Sequence, residues 1–391
     1  FEECVAFIVK ELDLAIADLP NRSDALGDSF GRITKGAAIG LKIRALMFDA
    51  SPLFNTANDN TKWQLVSDAC EQLFNLNQYS LSSNYKGLFL NPMDSEVIFF
   101  KQFLAQYGPV VVDVFSDFYY HYTGGHRIDE WRFPNGDLGW ISENPRQEFV
   151  DQYETITGEI PVLGYAGNPN NLIQIINPNA RNVFNPSRPY ENRDPRMRYS
   201  VLFDGAPFKD RNLEFWWGGK DSRNPDVDAW WNGSRLGYGI RKSLDETWSV
   251  ETNVGSDQPW IYMRLSEFYL TYAEAQFHLG NTGVAVNYVN FIRGRSGVNM
   301  PPINASGDVL KKIKHERKIE LAFEGNRWYD ARRWKDAGTD FAKDIVGVEI
   351  IRNPSTGNKS YRYFYFEGGT GKRSFPENHY LWPIPIEEIL K

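Results

Sequence analysis

The sequence predicts a mainly α protein: a scaffold of helical hairpins interrupted by a long, loop-rich insertion that contains short strands. Three observations carry this. Apolar residues recur at intervals of three and four near the start of the chain and again after residue 260. Between them, residues 106–255 are rich in Gly, Pro, Asn and aromatics and show little helical period. The chain has 391 residues, 42% of them hydrophobic, enough for one large domain or two smaller ones.

The elements follow in order. Phe1 to Leu19 reads as a helix through Val5, Ile8, Val9, Leu12, Ile16 and Leu19, stopped by Pro20. Thr34 is the N-cap of a second helix, whose Ala37, Ala38, Leu41, Ala45, Leu46 and Phe48 make a close-packing face. Lys62 to Leu76 supplies a third. Glu96 to Phe103 is short, apolar and extended. Within the insertion, Pro145 to Tyr153 alone looks helical. The scaffold returns at Ile261, with helices over Arg264 to Leu279 and Thr282 to Arg295, then an amphipathic helix over Val309 to Phe323. Tyr361 to Phe366 reads as a strand. Helical hairpins in series suggest a repeat scaffold, although no period can be fixed.

Glu316, Glu320 and Glu324 stand one turn apart, among Arg317, Arg327, Asp330, Arg332 and Arg333. Such carboxylates suggest general acid/base chemistry or a metal site. The structural alternative is favoured: arginines three or four positions away pair with them in a partly buried network that fixes helix packing. Trp328 and Trp334 are assigned to the same packing.

The stretch from Glu316 to Trp334 also resembles the C-terminal signature of the SusD/RagB family, E-R-x-x-E-L-x-x-E-G-x-R-x-x-D-x-x-R-W. Other runs resemble that family too. Gly31 to Asn55 matches its G-R-x-T-K-x-A-A and S-P-L-F runs. Asn144 to Tyr153 matches P-T-Q-E-L-V-D-x-F, with Arg146 in place of the usual Ser or Thr. Arg193-Asp194-Pro195-Arg196 matches a D-P-R turn that Arg196 is placed to lock. Arg264 to Ala275 matches R-L-x-E-x-Y-L-x-x-A-E-A, and Tyr380 to Glu388 a terminal Y-L-x-P-I-P-x-x-E, expected as a non-helical segment packed on the scaffold. The resemblance implies a tetratricopeptide-like scaffold. It also implies a single domain over 1–391: scaffold over 1–90 and 260–335, a ligand-binding insertion over 91–259, and a C-terminal strand and packing segment over 336–391.

Composition narrows the function. Net charge is −7 and no long basic run occurs, which argues against a nucleic-acid partner. Neither a membrane-spanning run nor a signal peptide is visible. Cys4 and Cys70 read as two packed thiols. No H-E-x-x-H or G-x-S-x-G occurs. His121 and His126 flank a glycine-rich loop, where a solvated loop is favoured over a metal site. No cofactor or metal is expected, and no catalytic residue is assigned.

The unusual number is aromatic, 15%, and eight of the 12 tryptophans fall between Trp131 and Trp260. Most sit beside Gly, Asn or Asp. A sugar ring has an apolar C–H face, which a flat indole covers, and a hydroxyl rim, which amides and carboxylates satisfy. The candidate ligand-contacting residues are Trp131, Trp140 and Tyr122, then Trp230, Trp231 and Asn232, with Trp216 and Trp217. For each alone, filling a small core is the competing reading. By resemblance, the chain is expected to be a non-catalytic, glycan-binding lipoprotein on the extracellular face of the outer membrane. It would pass oligosaccharide to a SusC-like TonB-dependent transporter, held by an N-terminal lipid anchor that this chain lacks. Alternatives are a peptide-binding uptake protein of the same fold, a glycoside hydrolase, or a pure scaffold.

Overall fold

The computed structural model describes residues 1–24, 30–103, 132–222, 233–249, 256–366 and 373–390. The first three helices are α1 (Glu2–Asp18), α2 (Lys35–Ala50) and α3 (Asn60–Phe74). Thr34 caps α2 as expected, its hydroxyl accepting from the Ala37 amide. Asp59 does the same for α3 through the Thr61 amide. β1 (Val97–Lys101) follows.

Among its described residues the insertion carries two short helices, α4 (Gln147–Val150) and α5 (Pro195–Ser200). The second was not expected. Asp194 caps it by accepting from the Arg196 amide, and Pro195 at its first position loses no helical hydrogen bond. Six strands accompany them: β2 (Val162–Asn168), β3 (Asn171–Ile176), β4 (Val201–Leu202), β5 (Pro207–Phe208), β6 (Arg211–Asn212) and β7 (Gly239–Ile240).

β8 (Trp260–Arg264) pairs antiparallel with β1 and leads into α6 (Leu265–His278). Next come α7 (Thr282–Arg293), α8 (Val309–Glu320), α9 (Asn326–Arg333) and α10 (Ala337–Asp340). β9 (Val346–Arg352) and β10 (Lys359–Tyr365) form a hairpin, and α11 (Ile386–Ile389) lies near the end. The sheet order β2–β3–β10–β9 joins insertion strands to C-terminal ones, every pair antiparallel.

Two large cores result. The helical one gathers Ile39, Ile43, Trp63, Val66, Cys70 and Phe268 from α2, α3 and α6. Gly40 lies where α2 crosses α6: a Cβ there would stand 2.9 Å from Phe268 Cζ and from Met263 Sδ. The second core puts Phe133, Tyr153, Phe208 and Tyr238 of the insertion against Val348, Ile350 and Tyr363 of the sheet, with Ile319 of α8.

Four expectations change. Val5 is the one buried residue of α1, and Cys4 is exposed on its outer side, so Cys70 is the packed thiol. The last segment is not uniformly packed. Tyr380 is buried, its carbonyl accepting from the Arg332 guanidinium at 2.6 and 3.0 Å, but α11 follows and Leu381, Ile386 and Ile389 are exposed. Trp334 is buried as assigned, whereas Trp328 is 40% exposed and stacks on Phe341. The fourth concerns the carboxylates of α8.

Glu316 and Glu320 are fully buried, Glu324 just beyond the helix is nearly so, and all three pair with cations distant in sequence, not with helical neighbours. Glu316 accepts from Arg196 and from Arg293 at 2.9 Å. Glu320 accepts from Arg196 at 2.9 Å, Arg264 at 2.7 Å and Arg295. Glu324 meets Arg264 at 2.6 Å and Lys242 at 2.5 Å. Helical spacing is kept only where Arg333 meets Asp330 at 2.8 Å, and Arg333 goes on to Glu274 at 2.6 Å. Arg196 also forks onto Asp194 at 2.7 Å, the lock expected of that turn. The network thus joins insertion, β8, α6, α7 and α8 at one buried point.

Candidate functional site

The buried network is not a reaction centre in waiting. Burial alone would raise the Glu320 carboxyl, but Arg295, Arg264 and Arg196 outweigh it and hold the group well below the ordinary carboxylate range. Glu316 is lowered in the same way, with burial overcome by Arg196 and Arg293. Both oxygens of each accept from buried guanidinium donors, which commits these carboxylates to ion pairs inside the fold. Among the described residues no cluster of His, Cys, Asp and Glu is arranged to hold a metal ion. His121 and His126 lie outside them.

The aromatic candidates separate into three groups. Trp131, Tyr122, Trp230, Trp231 and Asn232 lie outside the described residues. Trp140 is half-buried, held between the buried Gly139 and Ile141. That turn tolerates no side chain at 139, where a Cβ would meet the Phe133 carbonyl oxygen at 2.2 Å. Trp216 and Trp217 follow Phe215, which is buried in the sheet core. Trp216 bridges to Ile350 of β9, and the Arg352 guanidinium lies 5.0 Å over its ring, so one of its faces is covered. The Trp217 amide donates to the Ile350 carbonyl at 2.7 Å, while its side chain is 51% exposed. The rigid backbone thus holds an open indole off the edge of the sheet.

Sequence reasoning missed the group that ties these loops together. Asp221 is fully buried and accepts from the amides of Gly136 at 3.0 Å and Glu214 at 2.8 Å. It also takes both ends of the Arg211 guanidinium at 2.7 Å, and Arg211 reaches on to Asp137 at 2.5 Å. The Asp221 bond holds the Arg211 guanidinium above its ordinary range. One carboxylate therefore pins the turn before Trp140 to the turn that carries Trp216 and Trp217. Ser222 beside it bridges to Ser234. Asp221 stands in an ordinary Gly-Gly-Lys-Asp run, and nothing local in the sequence marks it.

Not every tryptophan of the insertion belongs here. Trp248 packs edge-on against Phe133 at 5.4 Å, in the core. Among the described residues no helix is long and apolar enough to cross a membrane.

Comparison with known proteins agrees with this architecture. A sequence profile of the SusD family matches residues 95–391. A curated SusD-like protein P2 from Formosa agariphila is 36% identical over 124 residues, 25% of this chain. The chain covers 25% of that relative's length. Among solved structures, a SusD-like protein from Bacteroides fragilis superposes with a TM-score of 0.75 at 25% identity, covering 100% of this chain and 69% of the other. A SusD-like carbohydrate-binding protein from the same species gives 0.73 at 24% identity, covering 100% and 70%.

Proposed function

The chain belongs to the SusD family, and on that premise we propose that it binds oligosaccharide or polysaccharide at the cell surface and hands it, uncleaved, to a SusC-like TonB-dependent outer-membrane transporter. The ligand class is supported by the description of one similar structure as a carbohydrate-binding protein. The observation that carries the reading is the open Trp217 indole beside Trp216, on a turn that Asp221 ties to the Trp140 loop. An indole held rigid and exposed covers the C–H face of a sugar ring at little entropic cost. Trp131, Tyr122, Trp230, Trp231 and Asn232 extend that surface in this proposal. Function is non-catalytic because binding needs only stacking and hydrogen bonds, and release to a transporter must follow.

Titration of Trp217→Ala and Trp140→Ala against the glycan that the wild type binds tests the site. Each substitution is expected to weaken binding by roughly ten-fold or more, as loss of a stacked tryptophan does. Trp217→Ala leaves the thermal midpoint within about a degree or two, since an exposed side chain contributes little to stability. Unchanged binding in both variants would remove these residues from the site.

A further inference from the structure

A second surface carries charge that the fold does not neutralise. A groove of about 340 Å³ runs between α4, the turn after α8, and the segment following α10. Its size suits one or two sugar residues. Four cations line it, Arg146, Lys318, Arg327 and Lys343, against two carboxylates, Glu148 and Asp340.

Asp340 is shared three ways. Arg327 contacts it, while Lys343 stands 3.6 Å and Lys318 3.9 Å away, both too far for a hydrogen bond. Lys318 keeps only 26% of its side chain exposed, so an ammonium that solvent reaches poorly has one carboxylate within 4 Å, already occupied, and otherwise feels Asp336 from farther away. Arg146 adds an independent observation. It stands at the N-cap of α4, where the family run has Ser or Thr, and makes no side-chain capping bond. Its Nη1 is buried with no hydrogen-bond partner among the described residues. Glu148, whose carboxyl feels the Arg146 charge, makes no hydrogen bond to it, since neither carboxylate oxygen of Glu148 has such a partner either. The cations feel one another: burial, then Arg327, Lys343 and Arg146, lowers Lys318 to about 7. An anion placed among them would relieve all four.

The rest of the wall is apolar and aromatic. Phe149, Phe323 and Phe341 face the groove, and the first two meet edge-on at 5.2 Å. Phe323 is held at φ 63°, a left-handed conformation that a bulky residue rarely adopts, and its ring lines the groove. Two guanidiniums and two ammoniums beside flat rings suit a sugar that bears its own negative charge.

We propose that this groove is a second glycan subsite, specific for an acidic sugar residue whose carboxylate or sulfate is held by Arg146 and Lys318. The ligand class rests on the glycan-binding reading above; the charge preference rests on the groove alone.

The test is calorimetric titration of the chain with tri-galacturonate, its fully methyl-esterified form, 6-sulfated galactotriose and tri-glutamate. One of the two acidic trisaccharides is expected to bind, and the tighter names the anion. For tri-galacturonate, esterification removes the charge and keeps the sugar, and is expected to weaken binding roughly ten-fold, the value of a lost charged hydrogen bond. Lys318→Gln and Arg146→Thr, the second restoring the residue type of the family run, are each expected to weaken the acidic ligand that binds by roughly ten-fold. Neutral glycans bound through Trp140 and Trp217 are unaffected by either variant. Equal affinity for acid and ester, no binding of either acidic trisaccharide, wild-type affinity in both variants, or binding of tri-glutamate alone would each overturn the proposal. Because neutral-glycan binding is read in the same experiment, loss of the acidic subsite and loss of the glycan-binding function give different results.

Discussion

Glu320 shows how much of this structure depends on single buried charges. It faces Arg196, Arg264 and Arg295, all excluded from water. Removing its charge takes one shared carboxylate from three buried guanidiniums, which keep Asp194, Glu316, Glu324 and Glu96, and breaking buried pairs of this kind costs about 3–5 kcal/mol. Glu320→Gln is therefore expected to lower the urea midpoint sharply. A midpoint within error of wild type would show that the network is not what holds α8 to the insertion. Asp151 makes a second residue-scale prediction. It is buried, accepts from Tyr165 at 2.5 Å and Gln147 at 2.9 Å, and is still pushed by burial up to about 6, against the lowering effect of Tyr165 and Arg193. The native protein then binds more protons than the unfolded chain between about pH 4 and 6. Its contribution is fully present below pH 4 and is lost as the pH rises through 6. A displacement of that size is worth about 3 kcal/mol. Asp151→Asn should flatten the pH dependence of unfolding across that window, and an unchanged slope would contradict the assignment. The carboxylates of α8 were recognisable in the sequence as a structural network. Their partners were not, because Arg196, Arg264, Arg293 and Arg295 reach them only once distant segments meet.

At the scale of elements, the helices were the legible part because burial imposes a period that the sequence displays. The Thr34 cap, the Asp194 turn and the body of α8 are found where spacing puts them. α1 departs, since its expected apolar run includes Ile8, which is 39% exposed. The strands were harder. β9 is buried along most of its length and so shows no alternation, and β2 and β3 pair locally but depend on β10, about 190 residues later, to become a sheet. β4 to β7 are two residues each, too short to carry a pattern. The α2–α6 crossing gives the element-scale prediction. Gly40 lets the two helices approach until Phe268 occupies the space of a side chain. Gly40→Val should cost about 1–3 kcal/mol by overpacking, read as a lower thermal midpoint. A neutral result would mean that the crossing has slack.

Over the whole molecule, the buried charges and the two cores hold the insertion rigidly against the helical scaffold, and the aromatic residues are displayed from that support. Trp140, Trp216 and Trp217 were legible as candidates because composition alone concentrates tryptophan in the insertion. The Asp221 knot and the cationic groove were not, since each is assembled from residues that are far apart in sequence and ordinary in place. Arg146 was the one visible sign, a guanidinium where a short hydroxyl is usual. The central claim is that this surface binds glycans and leaves them intact. Titration of the chain against a panel of soluble polysaccharides and a peptide digest, with chromatography of each mixture after long incubation, tests it most directly. The account predicts saturable binding to at least one glycan and no new products; cleavage, or saturable binding confined to peptides, would contradict it.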